Sequence, residues 1–205
     1  MTRFAFFPAA LVLTTLVGCQ QQLPPLPPIT SLPPVEGGSC VTPPPPMPLV
    51  FQLTGKIGVR TPQQSGSAFY AWGQQEGRFS IDLSGALGIG KTTIESNGTR
   101  FVLQNANTGR LEADQPETLL EQATGWRAPI SLLPKWVMGL PDQASSPATY
   151  DAMQRLQTLT EQGWSVRFDY ADDQAVRPSK LVMTQPLENG ENRVTLTIQT
   201  RQEIP

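Results

Sequence analysis

The chain has 205 residues, a formal net charge of −2 and no histidine. Without histidine it cannot build a Ser-His-Asp or Cys-His catalytic unit, and it has no imidazole to bind zinc or haem. The slightly acidic charge balance argues against a nucleic-acid-binding protein, because such domains usually carry a strongly basic surface.

Residues 1–18 have the pattern of a secretory signal peptide. Arg3 precedes an apolar stretch over residues 4–16, which is shorter than the roughly 20 residues of a membrane-spanning helix. The stretch leads into Leu16-Val17-Gly18-Cys19, which resembles the bacterial lipobox. That resemblance implies cleavage before Cys19, attachment of a diacylglycerol to its thiol and acylation of its amine. An ordinary signal peptide, or a buried apolar segment with a chance cysteine, is the alternative.

Cys19 is therefore the predicted membrane anchor. Two or three acyl chains hold a protein on a bilayer almost permanently, since each buried CH₂ contributes about 0.8 kcal/mol. In lipoproteins of this kind an Asp after the cysteine tends to cause retention in the inner membrane, and Gln20 stands there instead. We expect a lipid-anchored protein on the periplasmic face of the outer membrane. Cys40 would be the remaining thiol, so no intramolecular disulfide is expected.

Residues 19–48 have the composition of a tether. They contain eleven of the 21 prolines and one charged residue, Glu36. Such a segment cannot form a helix or a sheet ladder and favours polyproline II. Its length allows a reach of roughly 90 Å at 3.1 Å per residue. A proline-rich ligand for an SH3-like partner is the alternative.

Residues 49–205 are predicted to form one mainly β domain. Apolar residues alternate with polar ones in eight segments, which are residues 49–60, 67–74, 77–84, 91–96, 99–104, 164–170, 181–185 and 194–198. Asn97-Gly98 is a strong hairpin signal between two of them. Strands so closely spaced predict an antiparallel sheet or an open barrel.

Two short helices are predicted in the middle of this domain. Asp114 to Glu117 has the form of a capping box, and helical spacing of apolar residues continues to Gly125. A second helix is predicted to open at Ser131. Its broad apolar face would contain Leu132, Leu133, Trp136, Val137 and Leu140.

The run from Gly85 to Thr92 fits the phosphate-binding pattern G-x-x-x-x-G-K-[ST]. That motif needs a helix after the loop, but the β-branched residues that follow predict a strand. We therefore interpret the run as a hairpin tip. Its apolar residues Ala86, Leu87 and Ile89 would mark a contact with protein or membrane. Leu87 folded back onto the core is the alternative.

Two other candidates have ordinary explanations. Asp172-Asp173 could bind a metal ion, but an adjacent pair in a polar stretch is more typical of a solvated turn. Trp72, Trp136 and Trp164 could equally be core residues or the walls of a cavity.

The chain resembles the LolB family, the outer-membrane lipoprotein receptors of the lipoprotein-sorting pathway. Four stretches carry the likeness: the lipobox, Trp72-Gly73-Gln74-Gln75, Gly85-Ala86-Leu87-Gly88, and Thr124-Gly125 through Lys135-Trp136-Val137-Met138-Gly139-Leu140-Pro141. The family often has Asn-Pro-Leu-Gly in the loop, and this chain keeps the leucine as Leu87.

The resemblance implies an unclosed antiparallel β-barrel with short helices forming a lid over an apolar cavity. It also implies a monomer that accepts acylated lipoproteins from a periplasmic carrier chaperone and inserts them into the outer membrane, without catalysis, metal or any cofactor beyond the lipid on Cys19. Residues 86, 87 and 89 would enter the membrane. The candidate cavity residues are Trp72, Phe79, Ile81, Phe101, Leu133, Trp136, Val137 and Trp164.

Two other classes remain open. One is an envelope scaffold with a packed core, or a lipid-binding protein without a transfer role. The other is a hydrolase, which without histidine would require a Ser-Lys or carboxylate mechanism. The chain has only four lysines, and we find no Ser-x-x-Lys near a plausible pocket.

Overall fold

The structure is a computed structural model that describes residues 49–85, 91–125 and 127–203. Several sequence predictions concern residues outside these ranges. They are the signal peptide, the lipid site Cys19, the tether, and the loop residues Ala86, Leu87 and Ile89.

One antiparallel sheet contains all of the described strands. They are β1 (Val50–Arg60), β2 (Ser65–Gln75), β3 (Arg78–Ser84), β4 (Thr92–Asn97), β5 (Phe101–Asn105), β6 (Gly109–Ala113), β7 (Ala148–Tyr150), β8 (Leu156–Glu161), β9 (Trp164–Asp169), β10 (Lys180–Leu187) and β11 (Gly190–Glu203). Their spatial order is β6-β5-β4-β3-β2-β1-β11-β10-β9-β8-β7. Because β6 and β7 are its two edges, the sheet is unclosed, and the predicted fold class is confirmed.

Strand β1 lies at the centre of the sheet and shows why these sequences form strands. Its residues alternate between buried and exposed, so that one face of the pleat is apolar and the other is wet. It pairs along its length with β2 on one side and β11 on the other. The register with β11 shifts between Thr54 and Gly55, where Gln199 is the extra residue of a bulge.

Three strands were missing from the sequence prediction, and each has a local reason. Strand β6 has one large apolar residue, Leu111, and β7 is three residues long. In β8 the buried residues Leu156 and Leu159 are three positions apart, which does not match the period of two. Pairing with neighbouring strands therefore decides these segments.

The Asn97-Gly98 turn joins β4 to β5 as predicted, but the connection is longer than two residues. Ser96 pairs with Phe101, and β4 ends at Asn97, so residues 98–100 connect the two strands. The side-chain oxygen of Asn97 accepts hydrogen bonds from the backbone N–H groups of Thr99 and Arg100. Gly98 has a φ of 100°, which explains why glycine stands there.

The two helices are α1 (Pro116–Thr124) and α2 (Leu133–Trp136). Helix α1 ends at Gly125 in the left-handed conformation, as predicted. The capping box was wrong, since Gln115 is the N-cap and makes no side-chain cap bond. The second helix begins later than Ser131, and Leu140 is 46% exposed rather than on the buried face.

The core lies on the inner face of the sheet, beneath the two helices. Trp136 and Val137 are completely buried there, and Phe51 packs edge-on against Trp72 with ring centroids 5.0 Å apart. The apolar residues of α1 that face inward are Leu119 and Leu120. Helix α1 lies against β5 and β6 and covers that part of the inner face. No described helix has the length and hydropathy to cross a membrane.

Candidate functional site

A cavity of about 480 Å³ lies between the start of α1, the segment before α2 and the β8–β9 turn. This volume is within the range of small-molecule sites, about 300–1,000 Å³. Its lining residues come from five separate parts of the chain: Phe101, Asp114, Gln115, Pro116, Glu117, Arg127, Ala128, Pro129, Ser131, Leu132, Gln162, Trp164 and Gln185.

The cavity lining is amphipathic. Phe101 and Trp164 contribute the two aromatic rings, and Leu132 adds an aliphatic side chain. Charged groups are present as well, among them Glu117 and Arg127. A lining of this kind suits a ligand with an apolar body and a polar end, since each part then finds a matching environment.

A pair of hydrogen bonds spans the two elements that border this cavity. The Glu117 carboxylate on α1 accepts from the backbone N–H of Ser131 at 2.8 Å and from its hydroxyl at 2.7 Å. Glu117 therefore joins α1 to the segment before α2 instead of capping its own helix. At the other end of α1, the Gln64 side chain donates to the Thr124 carbonyl at 2.8 Å.

Behind the cavity, the buried carboxylate of Glu161 accepts four hydrogen bonds. The donors are the Trp136 indole N–H at 2.7 Å, the backbone N–H groups of Asp142 at 3.1 Å and Gln143 at 2.8 Å, and the Ser146 hydroxyl at 2.6 Å. Burial alone would raise the pKa of Glu161. The four donors together outweigh it and hold the pKa below its ordinary value.

Two arginines hold the chain just after α2. Arg201 donates to the carbonyls of Val137 at 2.8 Å and Pro178 at 3.1 Å, and Arg177 donates to the Met138 carbonyl at 3.0 Å. Burial lowers the pKa of Arg201 from its ordinary value. Because Glu161 bonds Trp136 while these arginines bond Val137 and Met138, several independent hydrogen bonds hold the α2 region in place.

The structure places the eight predicted cavity residues in three groups. Phe101 and Trp164 line the cavity. Phe79 is half-buried and lies 5.9 Å from Phe101, measured between ring centroids. The remaining five are buried in the packed core: Trp72, Ile81, Leu133, Trp136 and Val137. Their role in binding remains a prediction.

The sequence missed the polar residues that organise this region. Glu161 lies 25 positions from Trp136, and Glu117 lies 14 positions from Ser131. No local pattern signals such pairs. The segment of β8 lacks the alternation of a strand, so nothing in the sequence marked Glu161 as a buried residue.

Two other motifs are resolved by local geometry. Thr92–Asn97 forms strand β4, so no helix follows the Gly85–Thr92 run. The phosphate-binding interpretation of this run, which requires such a helix, is therefore wrong. The Asp172 carboxylate accepts from the backbone N–H groups of Gln174 and Ala175, so this pair forms the turn that was expected. Among residues 49–85, 91–125 and 127–203 we find no cluster of metal-ligating side chains.

The chain is similar in fold to a LolA superfamily protein from Nitrosomonas europaea. The two agree with a TM-score of 0.49 and 12% identity over 76% of this chain and 87% of that chain. A likeness of that degree carries no argument about function.

Curated relatives are much more similar. Outer-membrane lipoprotein LolB of Pseudomonas paraeruginosa is 42% identical over 119 residues, and those of Pseudomonas putida and Pseudomonas aeruginosa are 41% identical over 119 residues. Each match covers 58% of this chain and 58% of the relative's length. The family model described as "Outer membrane lipoprotein LolB" matches residues 50–200, almost the whole described sheet, and the chain therefore belongs to the LolB family.

Proposed function

We propose that this protein is an outer-membrane receptor for lipoproteins. It accepts acylated lipoproteins from a periplasmic carrier, holds their acyl chains in the cavity beside Trp164, and releases them into the outer membrane. The observation that carries the proposal is this amphipathic cavity in a domain of the LolB family. The relatives are named outer-membrane lipoproteins, which supports the same location for this chain.

No covalent chemistry is needed for this activity. Acyl chains are costly to expose to water, at about 0.8 kcal/mol per CH₂, so they pass between apolar sites without entering solvent. Transfer proceeds from carrier to receptor to bilayer if each site binds more tightly than the last. The proposed anchor is the lipid on Cys19, and the proline-rich tether gives the domain reach above the membrane.

We expect bound acyl chains to contact Trp164 but not Trp72. Trp164 lines the cavity, whereas Trp72 is packed against Phe51 in the core. Two variants of the full chain, each retaining one of these tryptophans with the other three changed to phenylalanine, separate the positions. A brominated fatty acid should quench the fluorescence of the Trp164 variant at saturation and leave the Trp72 variant nearly unchanged.

Both variants need intact structure, which circular dichroism checks. If neither tryptophan responds at saturating ligand, the cavity does not bind acyl chains, and the scaffold alternative is favoured. Quenching of Trp72 instead would show that acyl chains enter the region that is the packed core of this structure.

Leu87, which lies outside the described residues, is expected to act in delivery and not in stability. Leu87→Ala should change the free energy of unfolding by under about 1 kcal/mol, as surface positions do. Leu87→Glu should leave uptake from the carrier intact and block delivery, because a charge costs up to about 2.5–3.5 kcal/mol inside a bilayer. A two-step transfer assay with carrier, receptor and liposomes measures both steps. If Leu87→Glu blocked uptake from the carrier, the loop would have a role in carrier docking instead. If Leu87→Ala unfolded the protein, Leu87 would be a core residue.

A further inference from the structure

Phe69 is a large apolar side chain on the outer face of the sheet, and it is 58% exposed. Its direct neighbours across the strands are Lys56 on β1 and Ser84 on β3. From Phe69 to the strand ends nearest residue 85, the outward positions of β1 and β2 are Gly58, Arg60, Ser65 and Ser67. This part of the outer face therefore combines one aromatic ring, small residues and cations.

The cations here differ from most others in the protein. Nine of the lysines and arginines in the described ranges form ion pairs with carboxylates. Five in the described ranges do not, namely Lys56, Arg60, Arg78, Lys91 and Arg193. Arg78 shares the outer face with Phe69 but lies at the far end of β3, opposite Gln75. The other four lie between the Phe69 position and the strand ends nearest residue 85 or at those ends.

Two of these cations are direct cross-strand partners. Arg60 on β1 faces Arg193 on β11, and both are exposed. Like charges in this position destabilise a sheet. The nearest acidic residues on the same face are Asp82 and Glu191, which lie beyond its two ends, and neither pairs with these arginines among the described residues. No ion pair among the described residues offsets this repulsion.

We propose that the outer face around Phe69, with Lys56, Arg60, Lys91 and Arg193, is a docking surface for anionic phospholipid headgroups. The inference goes beyond the proposed function, which needs an acyl site but no headgroup contact. Lysine and arginine side chains are attracted to the negative surface of an anionic membrane, and an exposed aromatic ring adds contact with the interface. Small residues between the cations let headgroups approach the backbone.

A lipid surface fits these observations better than a protein partner does. Its cations are spread over three elements instead of converging on one point: Lys56 and Arg60 are on β1, Arg193 is on β11, and Lys91 lies just before β4. A bilayer presents many separate phosphates, so cations that do not converge can all be satisfied at once. Docking in this way would hold the domain in one orientation on the membrane, beyond what a flexible lipid tether provides.

The test uses lysine acetylation of the mature, lipidated protein in vesicles, read by mass spectrometry. The chain has four lysines. Lys56 and Lys91 lie on the proposed surface, and Lys135 and Lys180 serve as internal controls because they pair with Asp142 and Asp169 elsewhere. On vesicles with one-third phosphatidylglycerol, we expect acetylation of Lys56 and Lys91 to slow about fivefold relative to pure phosphatidylcholine. High salt should abolish the difference.

Charge-reversal variants make the test specific. Arg60→Glu with Arg193→Glu should remove the protection of both lysines, and Phe69→Ser should weaken it. Arg78→Glu is the matched control, since Arg78 is also exposed and without an ion pair in the described ranges but lies at the opposite end of β3. Should the double reversal misfold, Arg60→Gln with Arg193→Gln replaces it.

Three results would overturn the inference: equal acetylation on both vesicle types, equal protection of all four lysines, or protection that appears only when carrier is added. The last would make the surface a protein-docking site. Brominated fatty-acid quenching of the variant that retains only Trp164, measured on the same vesicles, tests the proposed function separately. Quenching without lysine protection refutes the docking surface alone.

Discussion

Replacing Glu161 by alanine should lower the free energy of unfolding by about 3–5 kcal/mol. The carboxylate is 4% exposed and accepts four hydrogen bonds. Its removal leaves the Trp136 indole N–H and two backbone N–H groups buried without an acceptor. Urea unfolding followed by circular dichroism measures the change.

Two further variants serve as controls. One tests the charge of the carboxylate at constant side-chain volume, and the other tests the loss of a glutamate at an exposed position. Glu161→Gln keeps the volume but turns an amide donor toward another donor, so a loss of about 1–3 kcal/mol is expected. Glu95→Ala, at an exposed position of β4, should change stability by no more than about 0.5 kcal/mol. If Glu161→Ala behaved like Glu95→Ala, the four hydrogen bonds would contribute nothing to the folded state.

The pH dependence of stability gives an independent reading of Glu161. Its pKa is lower in the folded protein than its ordinary value, which the unfolded chain has. The folded state is therefore stabilised by the ionised group above the ordinary glutamate range. That contribution is lost as the pH falls from this range through the lowered pKa. Wild type should lose stability more steeply there than Glu161→Gln, which has no group to titrate at this position.

The second large effect is expected at Gly55, which is buried in the centre of β1. A Cβ atom there would collide with the carbonyl oxygen of Thr197 and lie 2.8 Å from the Tyr70 hydroxyl. That hydroxyl donates to the same carbonyl at 3.2 Å. Gly55→Ala must therefore separate β1 from β11 or break this hydrogen bond. We expect a loss of about 2–4 kcal/mol in the free energy of unfolding.

Gly58 is the matched control on the same strand. A Cβ added there meets no other atom within 4 Å. Gly58→Ala should therefore leave stability within about 0.5 kcal/mol of wild type. Thermal and urea unfolding of both variants decide the matter. Equal effects at the two glycines would show that the close approach of β1 to β11 is unimportant for stability.

The fold class could be predicted because each of the long strands carries its own pattern. In β1 and β9 buried and exposed positions alternate along the strand. The local sequence therefore indicates both the extended conformation and which face of the strand is buried. Helix α1 could be located because its apolar residues have helical spacing and Gly125 marks its end, although the capping box predicted for its start was wrong. The short strands β6 and β7 have no such pattern, and only pairing with a neighbour makes them strands.

The amino-acid sequence by itself determined the alternating strands, the two helical segments, the candidate lipid anchor at Cys19 and the family. The tertiary structure decided which of the aromatic residues line a cavity. Phe101 and Trp164 are brought together from opposite halves of the sheet, while Trp136 is turned into the core by its bond to Glu161. Periodicity reports which face of an element is apolar, but whether that face meets a cavity or a packed core depends on segments distant in the chain.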